Sequence, residues 1–341
     1  MEVKRKFPEN FEETHLRYFA PHLSINLPEP GFKWLSKNII LLSNGIIING
    51  LTVEKDSLLY DNRLKDIGGI NTLFKLIIKS IIQNRVTFIS EKESYVTIIN
   101  EWTNNYFHWF TEAIPKLICL MDNEKKPLIL LPVNYQFGYQ TRSLDMMSFS
   151  YKFFSGNLVI CKNIFLPFRL APSSAQYNPA AMKQMVHKLK TGVNLDFEMG
   201  NKIYVTRTKA KKRKIVNEVD VIILMKELDF KVIDFEDYNL DEQISIMHHT
   251  QILVSMHGAG LTNMIFCNPH ASVLEISLQN QIMDKCYFNL ANAMELKYYY
   301  QFCESDIDSN DYQNNDLIVD LELLKKTLFK VTNSKYAKEI S

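Results

Sequence analysis

The stretch Ile252-Leu253-Val254-Ser255-Met256-His257-Gly258-Ala259-Gly260-Leu261-Thr262-Asn263 decides how this chain is read. The apolar run from Ile252 to Met256 predicts a buried parallel strand, since strands covered on both faces lose the usual polar alternation. The run breaks at His257-Gly258-Ala259-Gly260 and resumes as a short helix from Leu261 to Phe266. A strand, a glycine turn and a helix N-terminus in that order gather backbone N–H groups around an anion. Gly258 and Gly260 are expected to let the backbone turn tightly and approach a ligand. His257 falls at the carboxyl end of the strand, where open α/β sheets bind their ligands. Alone, the same residues suit a plain strand-to-helix turn with a backbone-satisfied histidine, so the neighbours decide.

Those neighbours alternate strand and helix. Lys202 to Thr206 reads as a strand ending at a cation, Arg207, within a basic run that continues through Lys209, Lys211, Lys212, Arg213 and Lys214. Val221, Leu224, Met225 and Leu228 form one helical stripe, followed by a strand over Lys231 to Phe235. Asn239 with Glu242 has the form of a capping box opening a helix along Leu240, Ile244 and Met247. Ser272 to Ser277 is a strand carrying one carboxylate, Glu275, and a helix over Met283 to Met294 precedes a strand over Tyr298 to Phe302. Strands alternating with helices imply a doubly wound parallel sheet.

Upstream, Ile39 to Leu42 and Ile46 to Ile48 flank Ser43-Asn44-Gly45, and a second Asn-Gly follows at Asn49-Gly50, both strong hairpin signals. Residues 1–67 therefore read as a β-rich N-terminal extension without chemistry. From Gly68 the pattern changes: Asn71 to Gln83 is helical, Ser94 to Ile99 a strand, and Asn105 to Met121 a helix that Pro115 kinks or ends. Pro127 to Leu131 and Leu158 to Pro167 are strands on either side of a helix over Gln140 to Phe149. The breaker cluster Ala171-Pro172-Ser173-Ser174 marks a boundary, giving a first α/β domain over 68–172 and a second over 173–305. Residues 306–341 comprise a polar loop and a last helix, Leu317 to Phe329, able to pack back on the first domain.

The chain has 341 residues, 46% hydrophobic and 23% charged, a normal globular balance. A net charge of +1 gives no electrostatic case for nucleic-acid binding. The five cysteines, Cys119, Cys161, Cys267, Cys286 and Cys303, have neither disulfide-framework nor zinc-site spacing, which fits a reducing compartment. Met1 to Lys6 leads into Pro8-Glu9-Asn10 rather than an apolar run, and no segment reaches the ~20 apolar residues that span a bilayer. The expectation is a cytoplasmic bacterial protein, with membrane contact, if any, at the inner surface.

His108 and Glu112 lie four residues apart, hence on one helical face, beside Asn104 and Asn105. A lone histidine among aromatics is usually a core residue, but a histidine–carboxylate pair can take a proton near neutral pH. Asp306-Ile307-Asp308 has the Asp-x-Asp form of a metal site but lies in a polar loop, where it reads as a chance match.

Taken together, Asn105-Tyr106-Phe107-His108-Trp109 with Glu112, Pro115 and Leu117, then Tyr204-Val205-Thr206-Arg207, Arg213, Asn217-Glu218, Gln243, His257 to Asn263 and Val273-Leu274-Glu275 resemble glycosyltransferase family 61. That family includes plant β-1,2-xylosyltransferases, animal O-linked N-acetylglucosaminyltransferases and bacterial sugar transferases. The resemblance covers roughly half the chain, and the block from His257 to Asn263 is its most specific part. It implies a GT-B-like fold, with two Rossmann-like domains facing across a cleft, and an inverting transfer from a nucleotide-sugar, expected to be UDP-linked, to a glycan or glycolipid hydroxyl, as in surface polysaccharide synthesis. In that frame Arg207, Arg213, His257, Gly258, Ala259 and Gly260 serve the donor, and Glu275 accepts ribose hydroxyls. Asn263 either orients the loop or touches the ligand. His108 and Glu112, in the acceptor domain, supply the base, with either residue in that role. No metal is required, and the resemblance leaves Mg²⁺ or Mn²⁺ dependence open. Two rival readings stand beside it. One is a non-catalytic nucleotide-sugar binder. The other is a hydrolase using His257-Gly258-Ala259-Gly260 as an oxyanion hole, although the chain has no Gly-x-Ser-x-Gly elbow.

Overall fold

The computed structural model describes residues 1–49, 52–55, 58–59, 69–89, 93–210, 213–278, 285–307 and 315–333. Gly50, Lys211, Lys212, Met283 and Asp308, named above, lie outside them. The chain divides into two compact units: Met1 with 27–174 and 187–189, and 2–26 with 175–186 and 190–341. The extension expected over 1–67 therefore does not form one body. Two short strands, β1 (Glu2–Lys4) and β2 (Ser24–Asn26), pair antiparallel within the second unit.

In the first unit the remaining part of that extension becomes sheet. β3 (Phe32–Leu42) turns through Asn44-Gly45 into β4 (Ile47–Asn49), and β5 (Thr52–Lys55) and β6 (Leu58–Leu59) continue antiparallel. Gly45 has a φ of 85°, and a β-carbon there would collide with the Ile99 carbonyl, so the hairpin needs glycine at this position. The sheet continues through β7 (Val86–Phe88), β8 (Tyr95–Val96), β9 (Leu128–Pro132), β10 (Tyr151–Phe154) and β11 (Leu158–Pro167). β10, β9, β8 and β11 run parallel, β7 runs parallel to β11, and β3 lies antiparallel along almost all of β11. The unit is thus a mixed sheet, and the N-terminal hairpin is part of its core: Leu35, Ile39, Leu41 and Ile47 pack with Tyr95, Leu130 and Ile164.

The second unit holds β12 (Lys202–Val205), β13 (Lys231–Ile233), β14 (Ile252–Met256), β15 (Ser272–Leu278), β16 (Lys297–Ser305) and β17 (Leu317–Ile318). Their spatial order is β13-β12-β14-β15-β16-β17, all parallel except the last pair. All five residues of β14 and all seven of β15 are buried, which is why β14 reads as a nearly unbroken apolar run. Numbered within this unit, the order is 2-1-3-4-5-6. The strand order reverses between β12 and β14, and the crevice at their carboxyl ends is where such sheets bind ligands.

The capping box forms as expected. The Asn239 amide N–H donates to Glu242 at 2.8 Å, and the Glu242 N–H to the Asn239 side chain at 3.1 Å. Two segments differ from expectation. Leu317–Ile318 is a strand against β16, and the last helix runs over Leu321–Asn333, packing on the helix Glu218–Glu227 and on β16 of its own unit. The segment from Asn105 is no regular helix either. One α-turn (Tyr106–His108) widens to an i→i+5 turn (Trp109–Ala113), then tightens to 3₁₀ over Ile114–Leu120. Pro115, which has no N–H to donate, sits where the geometry changes.

Candidate functional site

The crevice of the second unit is built from three strand ends. β12 runs out at Thr206-Arg207, and a buried carboxylate fixes that exit. Glu218, in the first turn of its helix, accepts from the Thr206 hydroxyl (2.5 Å), the Tyr204 hydroxyl (3.2 Å) and the Arg207 backbone N–H (3.0 Å). The Arg207 guanidinium is anchored in turn by an Nε donation to the Arg213 carbonyl at 3.1 Å. Burial lowers its pKa, as does the neighbouring Arg213, while Tyr287, Glu218 and Asp234 oppose them. A guanidinium stays charged under such a shift, so a partly buried fork of positive charge sits at the carboxyl end of the strand.

Gly258 passes directly against that fork. A β-carbon on Gly258 would collide with Arg207 Nη1 and lie 3.0 Å from Cζ. Its φ of 165° is ordinary extended backbone. Glycine is required here for space, not for a left-handed turn. Gly260 needs neither, because a β-carbon there meets Val205 at 3.5 Å, an ordinary contact. The sequence expectation of two turn-forming glycines thus reduces to one close approach. Ala259 opens a 3₁₀ segment, Ala259–Phe266, and the first N–H groups of such a turn lack partners within it.

His257 follows β14, its backbone N–H held by the Ile276 carbonyl at 2.8 Å. Its Nδ1 lies 2.5 Å from Glu275 Oε1, and the Tyr298 hydroxyl donates to Glu275 Oε2 at 2.5 Å. Both carboxylate oxygens are therefore engaged, and Glu275 is only 5% exposed. These two contacts orient the His257 ring. Burial would raise the Glu275 carboxyl. The hydrogen bond and charge of His257, the Tyr298 hydroxyl and Lys285 outweigh it and hold the group below its ordinary value. With Nδ1 on the carboxylate, Nε2 is the ring nitrogen left for a ligand, and no described residue pairs with it. Tyr287 packs edge-on against the imidazole and donates its hydroxyl to the Gly258 carbonyl at 2.5 Å.

Asn263 is buried and donates to Gln243 at 3.0 Å, and Gln243 donates to the Phe235 and Tyr238 carbonyls. These bonds tie Asn263 to the segment that precedes the helix Leu240–His249.

The first unit carries the second constellation. Asn105 caps the turn by accepting from the Phe107 N–H at 2.9 Å, and His108 Nδ1 then lies 3.0 Å from Glu112 Oε1. That same oxygen accepts from the Ser174 hydroxyl at 2.5 Å, and Oε2 lies 3.4 Å from the Asn100 amide nitrogen. Burial raises the Glu112 carboxyl, but His108, Ser174 and Lys116 together bring it below its usual range. Ser174 and Asn100 were not foreseen, because neither is close to the pair in sequence.

Among the described residues no three of His, Cys, Asp and Glu gather as metal ligands. The five cysteines form no disulfide. Burial pushes the thiols of Cys161, Cys267 and Cys303 up to about 12 and that of Cys119 to about 11, so none of these four is a thiolate nucleophile at neutral pH.

A parallel sheet with a cation and a paired histidine at its switch point defines an α/β protein with a candidate ligand site at its strand ends. Comparison with known families makes this specific: residues 106–274, just under half of the chain, match the family Glycosyltransferase 61. The match begins at the His108 turn and ends just short of Glu275. Among curated relatives, the EGF domain-specific O-linked N-acetylglucosamine transferase of Bos taurus is 31% identical over 126 residues, 35% of this chain and 23% of that protein. The protein of the same name from Gallus gallus is 36% identical over 91 residues, 25% of this chain and 17% of the relative. That from Drosophila melanogaster is 31% identical over 98 residues, 28% and 18%. The chain thus matches less than a quarter of these relatives' length. No described helix is long and apolar enough to cross a membrane.

Proposed function

We propose that this protein transfers a sugar, with inversion, from a nucleoside-diphosphate donor to a hydroxyl of a glycan or glycolipid. The observation that carries the reading is the Arg207 guanidinium lying against Gly258 at the switch point of the second unit, beside the His257–Glu275 pair. A guanidinium fork and the open N–H groups of the turn at Ala259 suit a diphosphate, whose charge grows as the glycosidic bond breaks. His257, with Nε2 unpaired among the described residues, contacts the donor. The relatives' names make an N-acetylglucosamine donor, UDP-linked, the first to test.

The reading takes the GT-B form, in which one Rossmann-like unit binds the donor and the other the acceptor. The acceptor oxygen attacks the anomeric carbon, the bond to the diphosphate breaks, and the hydroxyl proton passes to a base. We assign that base to His108. Glu112 already accepts from His108, Ser174 and Asn100, whereas His108 Nε2 has no partner among the described residues. A carboxylate holding Nδ1–H fixes the tautomer and leaves Nε2 as the proton acceptor.

Calorimetry with UDP, GDP and CDP, followed by a nucleotide-sugar panel scored for nucleotide release, tests the reading. One nucleotide binds and Arg207→Ala weakens it. His108→Ala binds the same nucleotide normally but loses about 10²–10⁴-fold in transfer. Binding without release under any donor and acceptor supports a non-catalytic binder instead, and no binding by any nucleotide refutes both.

A further inference from the structure

The second unit contains a cavity of about 930 Å³ whose lining includes none of Arg207, His257, Glu275 or Tyr287. It lies beside β16, two strands away from β14 in the sheet, between the N-terminal segment and the helix Leu321–Asn333. Gln301, on its wall, is 2% exposed. Its Nε2 donates to the Asp320 carbonyl at 3.1 Å, which fixes the amide orientation, and its Oε1 has no partner among the described residues. A buried acceptor left without a donor is costly, so such groups usually have a partner.

The opposite wall is cationic. Lys326 and Lys330 line the cavity one helical turn apart, where like charges repel, and no described carboxylate pairs with either. Their neighbour Lys325 differs, being held 3.0 Å from Glu322. Phe329 stands between them in sequence, 70% exposed, and lines the cavity together with Phe302. His15 and Tyr300 are hydrogen-bonded to each other at 2.7 Å and form wall. Glu12 supplies a single negative charge on the N-terminal side, which confines an anion to the helix side.

We propose that this cavity is a second ligand site, taking a hydroxyl-bearing anion: a phosphorylated or carboxylated saccharide. Its anionic group sits on Lys326 and Lys330, the sugar lies against the Gln301 side chain, and a ring face lies against Phe329. The site does not depend on the transferase reading, since it shares no residue with the switch-point crevice.

The test titrates the full chain by calorimetry with glucose 6-phosphate, glucuronate, glucose and inorganic phosphate. At least one anionic sugar binds, and glucose binds far more weakly. The Lys326→Ala/Lys330→Ala double variant loses at least about tenfold in affinity, as expected for charge-assisted bonds. Gln301→Leu weakens the sugar but not inorganic phosphate. Arg207→Ala changes nothing here while weakening nucleotide, so failure of either site is told apart from failure of the other. Which anionic sugar binds identifies the source as phosphorylated or carboxylated. If Gln301→Leu melts early, the lysine variant on the exposed helix face still decides. The proposal is overturned if neither anionic sugar binds at millimolar concentration, or if binding survives loss of both lysines.

Discussion

Replacing Gly258 with alanine adds one methyl group and changes nothing else a backbone would feel, since a φ of 165° suits any residue. The methyl would nevertheless overlap Arg207 Nη1 and stand 3.0 Å from Cζ, inside ordinary van der Waals contact. The cheapest relief is movement of the guanidinium, the far end of a flexible side chain. Its Nε bond to the Arg213 carbonyl limits how far it can swing without losing that anchor. A fork displaced by roughly 1 Å no longer meets a phosphate with two aligned N–H groups. Loss of one charge-assisted hydrogen bond is worth about 1.5–3 kcal/mol, or about 10- to 100-fold in nucleotide affinity. Stability should hardly change, because no backbone or core atom is struck.

Gly260→Ala is the matched control, since its methyl finds only ordinary contacts. Calorimetry with UDP, or whichever nucleotide the wild type binds, and thermal melts of the three proteins read the two quantities separately. Gly258→Ala binding as tightly as wild type would mean that Arg207 is not a phosphate ligand. An equal loss in Gly260→Ala would mean that the turn tolerates no side chain at all, and the specific role of the fork would fall.

Other perturbations follow from the buried carboxylates. Glu275→Gln removes the charge that orients His257, so turnover falls roughly tenfold or more with altered pH dependence, and the melting temperature at neutral pH drops with the lost stabilisation; an unchanged pH–rate profile would count against the orienting role. Glu218→Ala strips three buried donors of one acceptor and costs about 2–5 kcal/mol, read as a lower Cm in urea; an unshifted Cm would show those donors to be satisfied otherwise. The Glu275 carboxyl also predicts acid sensitivity. Its folded pKa lies below the ordinary 4.5, so its contribution to stability is complete above that value and is lost as pH falls below it towards the folded pKa. Melts down to roughly pH 3 should therefore show a steeper decline in wild type than in Glu275→Gln, and parallel declines would remove Glu275 as the cause.

What the sequence disclosed and what it hid divide along one physical line. Local relations were legible. The apolar run at Ile252, the reciprocal caps of Asn239 and Glu242, the Asn44-Gly45 hairpin and the spacing of His108 and Glu112 each depend on residues a few positions apart. Relations set by sheet register were not. Glu275 is 18 residues from His257 and meets it only because β15 lies beside β14 with Glu275 opposite Ser255, two residues before the histidine. Tyr298 completes the group from the next strand, two residues before the Glu275 partner Tyr300. Without the strand order, Glu275 looked like a free acceptor on a strand end. Glu218 was equally hidden: it lies in a helix first turn, where acids are ordinarily explained by the dipole alone.

The two histidines, one paired through sheet register and the other through helical spacing, share one arrangement. In each unit a histidine gives Nδ1 to a mostly buried carboxylate, and the carboxylate is saturated by further donors: Ser174 and Asn100 with Glu112, Tyr298 with Glu275. A saturated carboxylate is a poor base and a poor ligand, but a good constraint on a ring. Each pair thus leaves one imidazole nitrogen, Nε2, as its chemical group. On the proposed reading, chemistry at these positions falls to the histidines and positioning to the acids. For the first unit this separates two assignments that sequence left level, and it fixes what each variant must do. Glu112→Gln keeps a side chain able to accept from His108, so it should retain more transfer activity than His108→Ala. The reverse order would return the base to Glu112.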